Sequence, residues 1–332
     1  MLGMIGNHVS RVLRRALQAF VVLLGGASTA AALADASCPP PPQAPRFAPG
    51  AAARALRQAP DRGVLWRIER DGRSSWLYGT LHIGKAPWVF PGPSIVQALT
   101  QSDVLALELD LTDPATLAVL TAPPDPAVAG RVLTAERVKR LARQKELACL
   151  PPDALAKLWP AMQVAALGAL IGRADGFYSD FGVESVLTGF ARTTGKPVLA
   201  LETAEAQLKM LAGDSEAEQG QDIDDSLDEL EAGDVRAHLA LLADAWARSD
   251  RDKLDVYWQW CDCLRTPGDR RRMKRYLDDR NPALADGIER LHASGKRVFG
   301  AVGTLHMIGP QGLPALMAAR GFAVTAVVPA PR

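Results

Sequence analysis

The stretch RVFGAVGTLHMIGPQGLPALMAARGFAVTAVV, residues 297–328, reads as three elements in a row. RVFGAV (297–302) is an apolar run of strand length without polar alternation, the pattern of a strand covered on both faces. Gly303-Thr304-Leu305-His306 and a Gly/Pro-rich turn follow. GLPALMAARG (312–321) then has helical spacing and stops at a glycine, and AVTAVV (323–328) is a second apolar run. Strand, helix, strand is the signature of an α/β fold. It places His306 just past the carboxyl end of a strand, the edge of an open sheet at which ligands bind.

Working outward, the same device occurs near the other end of the chain. SWLYGTLHIGKAPWVFPGPSIVQALTQSDVLALELD (75–110) repeats Gly-Thr-Leu-His at residues 79–82, again after a strand-like run and before a turn, a helical segment and another apolar run. Further strands are expected at VLWRIE (64–69), VLALEL (104–109) and PVLAL (197–201), and RDGRS should join the first two strands as a hairpin with an Asp-Gly turn. Helices are expected at 134–147, 153–172, 182–195, 234–250, 281–295 and 312–321. The fold class is therefore α/β, with a mostly parallel or mixed central sheet flanked by helices and an additional helical region in the middle of the chain, about residues 204–280. The acidic run at 213–234 and the basic run at 265–280 read as solvated helix faces.

The repeat carries the chemistry. VLALELD ends with Glu108 and Asp110 on one strand face, and PVLALE ends with Glu202. A carboxylate at the end of an apolar strand is costly unless it is paired or holds a cation. Two imidazoles, His82 and His306, and a carboxylate form a plausible set of ligands for a divalent metal, with a position left for water; a second carboxylate could act as general base. His238 and His292 read as ordinary helix residues. There is no H-E-x-x-H, G-x-S-x-G, Walker A or G-x-G-x-x-G motif, which removes support for conventional zincin, serine-hydrolase and nucleotide chemistry.

Composition bounds the rest. The 332 residues are 48% hydrophobic and 23% charged, with a net charge of +1, so nothing favours nucleic acid or an anionic surface. Arg11, Arg14 and Arg15, an apolar run and Ala32-Leu33-Ala34 read as a signal peptide (1–34), with an uncleaved anchor as the alternative. A Pro/Ala-rich tether (35–60) leads into a single domain (61–332). The expected location is periplasmic or secreted, with no stable membrane span after cleavage. In an oxidising compartment the four mature cysteines, Cys38, Cys149, Cys261 and Cys263, imply two disulfides; Cys261 and Cys263, one residue apart, are expected each to pair elsewhere. A Cys-x-Cys metal site is the alternative.

The ordered set of motifs resembles the TraB/PrgY/GumN family, which includes the Tiki proteins. The matching residues are Gly79-Thr80-Leu81-His82, Glu108 in LALELD, Glu184 in FGVESVL, Glu202 and Gln207 in GKPVLALETAEAQ, Arg280-Asn281 in DDRNPALADGI, and Gly303-Thr304-Leu305-His306. The exported form with CPPPP after the signal looks most like the GumN branch. The resemblance implies a fold related to erythromycin esterase and the ChaN-like proteins, and a metal-dependent hydrolase, most simply a peptidase acting on a peptide or protein substrate. Carried over, His82 and His306 are metal ligands, Glu108 a third ligand or the base, Arg280 a positive charge for a developing oxyanion, and Glu184 and Glu202 pocket carboxylates. Many relatives have Asp where Glu184 stands. Zinc, manganese and cobalt are all compatible with such ligands. A non-catalytic periplasmic metal- or heme-binding protein and an accessory role in polysaccharide production are the alternative readings. The oligomeric state is not encoded in any motif.

Overall fold

A computed structural model of the chain describes residues 38, 39, 42, 43 and 51–330. The expected signal peptide (1–34) lies outside the described residues, as does much of the tether. No helix among the described residues is long and apolar enough to cross a membrane.

Six strands form one mixed sheet: β1 (Leu65–Arg70), β2 (Arg73–Thr80), β3 (Val104–Leu107), β4 (Val198–Ala200), β5 (Val298–Gly303) and β6 (Ala323–Val328). Their spatial order is β4-β3-β5-β2-β1-β6. The four from β4 to β2 run parallel, while β1 is antiparallel to both β2 and β6. Asp71 (φ 54°) and Gly72 (φ 69°) make the tight turn that joins β1 to β2. Both central positions need positive φ, and Asp-Gly supplies it at low cost.

All six strands expected from the sequence are present. They are short and apolar because both faces are covered. One face carries Ile68, Leu77, Val104, Ala106, Val298 and Val302 against Leu284, Ala285 and Ile288 of the helix Asn281–Ala293 and Leu313 and Met317 of the helix Leu313–Ala319. The other carries Leu65, Trp76, Tyr78, Leu105, Leu107 and Phe299 against Ile95 and Leu99 of the helix Pro93–Gln101 and Leu187 of the helix Val183–Thr193. Each fully buried Leu, Ile or Phe here contributes roughly 1.5–3 kcal/mol by leaving water. A third cluster lies among helices alone. It joins Leu141, Val164 and Leu167 to Ile223, Leu227 and Leu230 of the helix Glu216–Ala232. The helical part of the chain therefore draws on residues well before 204.

Several sequence expectations are corrected. The helix expected from 153 begins only at Pro160, because a proline is tolerated at the first helical position and not in the interior. Strand β3 stops at Leu107, and Asp110 does not share its face with Glu108: Asp110 Oδ1 accepts from the N–H and the hydroxyl of Thr112, closing a turn. The acidic and basic runs are not simply solvated. Arg272, 7% exposed, pairs with Asp225, Glu229 and Asp269, and Arg275 pairs with Glu218 and Asp222, so the two runs lock against each other. Such paired, hydrogen-bonded charges can be buried where single ones cannot.

Two disulfides form, Cys38–Cys149 and Cys261–Cys263. The second overturns the expectation that these two cysteines pair elsewhere. Asp262 between them takes φ 52°, a left-handed conformation that Asp tolerates, which turns the chain back at once and brings both sulfurs together. With the partners so assigned, a Cys-x-Cys metal site is not formed.

His292 is fully buried and structural. Its Nδ1 is 2.9 Å from Ser75 Oγ and its Nε2 3.1 Å from the Arg70 carbonyl oxygen. The carbonyl can only accept, so Nε2 donates and Nδ1 accepts from the Ser75 hydroxyl. Burial pushes this imidazole below its ordinary value, with Arg73 and Arg70 acting in the same direction, while its hydrogen bond to Arg70 and the charge of Asp71 oppose. A folded-state value below the unfolded one means that the unfolded chain binds the extra proton first. This contribution to stability is present above the unfolded value of about 6.5 and is lost as pH falls through and below it. Comparing urea midpoints of wild type and His292→Gln from pH 8 to pH 5 is expected to show a smaller acid loss in the variant; equal slopes would contradict the assignment.

Candidate functional site

The Gly-Thr-Leu-His repeat sits on neighbouring strands. β2 and β5 pair in parallel with Gly79 opposite Val302 and Thr80 opposite Gly303. His82 follows the end of β2, His306 lies in the tight turn Thr304–Met307 after β5, Glu108 follows β3 directly, and Glu202 lies just beyond β4. Four adjacent parallel strands thus deliver four titratable groups to their carboxyl ends, the edge favoured for ligands.

The loop that carries His82 is held by backbone contacts. Gly84 and Tyr178 exchange N–H···O bonds of 3.0 and 2.8 Å, and Val183 N donates to Leu81 O at 2.9 Å. This brings Glu184, at the start of the helix Val183–Thr193, to His82: Nδ1 lies 3.0 Å from Glu184 Oε1, which also accepts from the Thr80 hydroxyl. The His82 side chain remains 70% exposed. The Glu184 carboxylate lifts His82 to about 9, with Glu108 adding to the lift. Burial would raise Glu184 itself, but His82 and Thr80 hold it below the usual carboxylate range.

The second half of the site is built around Arg280. This residue caps the helix Asn281–Ala293 and follows a π-helical turn, Lys274–Asp278, that Arg275 ties down through Met210 O and Asp222. Such turns recur at functional sites. Arg280 Nη2 donates to Glu108 Oε2 and to Glu202 Oε2, each at 2.5 Å, and Nε donates to Glu202 Oε1 at 2.9 Å. Nη1 donates to the Tyr276 carbonyl at 3.0 Å and faces His306 Nε2 at 3.3 Å. All five guanidinium N–H groups are thereby engaged. Gln207 Nε2 bridges Glu202 Oε2 (3.0 Å) and Glu108 Oε2 (3.3 Å), and Glu108 Oε1 accepts from Gly303 N at 2.8 Å.

Charge follows from these contacts. Burial opposes ionisation of Glu108, but His82, His306, Arg280 and the Gly303 N–H outweigh it and bring the carboxyl down to about 2. Burial drives His306, 3% exposed, down to about 4. Three carboxyl groups, those of Glu108, Glu184 and Glu202, share the site with one guanidinium and two imidazoles. A carboxylate so strongly held is a weak base and a better anchor or ligand.

Imidazole and carboxylate are donor types that suit a divalent cation. His82, His306 and Glu108 converge over the bare Cα of Gly303: a Cβ built there would lie 3.4 Å from Glu108 Oε1, 3.6 Å from His306 Cδ2 and 3.8 Å from His82 Nε2. A side chain at residue 303 would fill this space. Among the described residues, no group of three or more His, Cys, Asp or Glu side chains is placed closely enough to hold an ion, and Arg280 Nη1 lies 3.3 Å from His306 Nε2.

The structure thus brings together every expected site residue, in two halves: His82 with Glu184, and His306 with Glu108, Glu202 and Arg280. Thr80 and Asn281 belong to the site without having been singled out for a role. Thr80 stands inside the repeat itself, and Asn281 adjoins Arg280, which is the only sequence signal for either.

A sequence model of the TraB/PrgY/gumN family matches residues 64–326, which take in β1 to β5, most of β6 and every residue of the site. Among characterised proteins, the chain is similar to Metalloprotease TIKI1 from Homo sapiens, 39% identical over 79 residues, which is 23% of this chain and 15% of that protein. It is also similar to Metalloprotease TIKI1 from Danio rerio, 36% identical over 83 residues, which is 24% of this chain and 17% of that protein. The matches therefore span less than a fifth of the length of these relatives. No solved structure matches the chain.

Proposed function

The chain belongs to the TraB/PrgY/gumN family, and on that premise we propose that it is an exported, metal-dependent hydrolase that cleaves peptide bonds. The observation that carries the reading is the convergence of His82, His306 and Glu108 over Gly303, each imidazole anchored through Nδ1 and His306 Nε2 lying 4.0 Å from Glu108 Oε1. Anchoring a ligand histidine through its other nitrogen is the usual support for a metal-binding imidazole. The similarity to two metalloproteases supports the same reading.

In this proposal His82, His306 and Glu108 hold the ion. When bound, the ion supplies Lewis acidity toward a water molecule and a substrate carbonyl. Glu184 fixes the His82 ring and Thr80 fixes Glu184. Arg280 clamps Glu108 and Glu202 together, and its Nη1 would be the group freed if His306 Nε2 turned to a ligand. That N–H can then meet negative charge developing on a substrate oxygen.

The test is metal content. The purified chain, His82→Ala and His306→Ala are loaded with zinc, manganese or cobalt and dialysed. About one ion per wild-type chain is expected, as for a single site with three protein ligands, and none in either variant while the circular dichroism is unchanged. No bound metal in any preparation would sink the proposal.

One observation favours a second reading, capture of a ligand without turnover: Glu108 and Glu202 each accept hydrogen bonds on both carboxylate oxygens, which weakens either as a base. Glu108→Gln separates the two. Loss of peptide hydrolysis with the fold intact supports the enzyme; retained ligand capture, with no peptide cleaved by the wild type, supports the binder.

A further inference from the structure

The side chain that decides which nitrogen of His306 faces the site lies outside both copies of the repeat. Asn281, 2% exposed, opens the helix Asn281–Ala293. Its amide spans two partners: Nδ2 donates to the Gln311 carbonyl oxygen at 2.8 Å, and Oδ1 is 2.5 Å from His306 Nδ1. A carbonyl oxygen only accepts, so the end facing Gln311 must be the amide nitrogen. Oδ1 is then fixed toward His306, and because it too only accepts, Nδ1 must carry the hydrogen.

A second contact gives the same answer independently. Arg280 Nη1, 3.3 Å from His306 Nε2, is an obligate donor, so Nε2 must present its lone pair. Both routes leave His306 as the Nδ1–H tautomer with Nε2 turned to the Arg280–Glu108 side. At His82 the Glu184 carboxylate likewise accepts from Nδ1. At His306 the holder is a neutral amide, which adds no charge beside a ring already pressed between Glu108 and Arg280.

We propose that Asn281 is the positioning residue for His306: its Oδ1 selects the tautomer and ring orientation that aim Nε2 at a metal ion. The inference rests on the metal-site reading above for its purpose, but its geometry can be judged without metal. The rival explanation is structural, with Asn281 needed only to tie the helix start to Gln311. Two substitutions separate these. Asn281→Leu removes both hydrogen bonds, whereas Asn281→Asp keeps an acceptor for His306 Nδ1 and loses the donor to Gln311.

The experiment uses the full chain labelled with nitrogen-15. Two-bond proton–nitrogen correlations of the imidazoles are recorded without metal, with His306 identified by its absence from His306→Gln; zinc affinity is then measured by competition with a chromogenic chelator. The expected result is an Nδ1–H pattern for His306 in wild type and Asn281→Asp. In Asn281→Leu that pattern is lost and zinc binds about 10–100-fold more weakly, the usual cost of removing such a support. An Nε2–H pattern in wild type, an unchanged pattern in Asn281→Leu (Arg280 alone then holding the tautomer), or equal loss in both variants overturns the proposal. If Asn281→Leu does not fold, Asn281→Asp decides: a retained pattern supports positioning and a lost one refutes it. If wild type binds no zinc, the metal-site reading fails, while the tautomer pattern still judges Asn281.

Discussion

Arg280→Met is expected to destabilise the chain by about 3–5 kcal/mol, the usual cost of removing one partner from a buried, hydrogen-bonded ion cluster. The guanidinium is 13% exposed, and the carboxylates it joins, Glu108 and Glu202, are 11% and 9% exposed. Without it, two buried carboxylates stand side by side, with Gln207 as their shared neighbour. That loss is a large part of a total stability of about 5–15 kcal/mol. Arg280→Lys should fall between, because an ammonium keeps the charge and loses the fork that reaches both carboxylates at once. Adding Glu202→Gln to Arg280→Met should recover part of the loss by removing one unpaired charge. Urea midpoints at pH 7 measure all three; a change below about 1 kcal/mol in Arg280→Met, the size of an exposed pair, would refute the buried-clamp description.

Gly84→Ala is the second large effect. A Cβ at residue 84 would lie 2.1 Å from the Phe181 carbonyl oxygen and 2.9 Å from its carbon. Neither backbone can yield easily, because Gly84 and Tyr178 are joined by two hydrogen bonds and Val183 N is bonded to Leu81 O. The two segments must part, and they are the ones that bring His82 to Glu184. A loss of about 3 kcal/mol is expected, at the upper end for overpacking, together with a loosened His82. Gly130→Ala is the control: a Cβ there meets nothing within 4 Å, and in the helix Pro126–Val132 alanine should be neutral or stabilising by up to about 1 kcal/mol. Thermal unfolding compares the two; a Gly84→Ala chain as stable as Gly130→Ala would mean that the His82 loop is not docked as described.

Much of the architecture was legible in the sequence because it depends on local pattern. Continuous apolar runs marked strands covered on both faces, Asp71-Gly72 marked the hairpin, and Gly195 and Gly295, at φ 70° and 93°, marked helix ends. The duplicated Gly-Thr-Leu-His was informative because β2 and β5 are neighbours, a fact that periodicity alone cannot supply. What was not legible depends on tertiary partners. Nothing local says that Asn281 Oδ1 will meet His306, that Gln207 will bridge two glutamates, or that Arg280 will have no N–H to spare. Asp110 misled because strand alternation was extended past the point where β3 ends. Cys261 and Cys263 misled because their pairing turns on the backbone angle of Asp262, which residue spacing does not reveal.

The strand order also dictates when during synthesis the site can come into existence. Among the described residues, β5 lies between β2 and β3 and links them in the sheet, yet Ser75 and Val298, which meet there, are 223 positions apart. A growing chain that has produced the first hairpin, β3 and β4 holds two fragments of sheet with no ladder between them. Pairings of such long range form late and slowly, because the loop must close before any contact repays it. His306 arrives with this last closure, as does the Gly303 N–H that fixes Glu108. Nascent or truncated chains that lack β5 therefore carry most of the site's residues but not the assembled site.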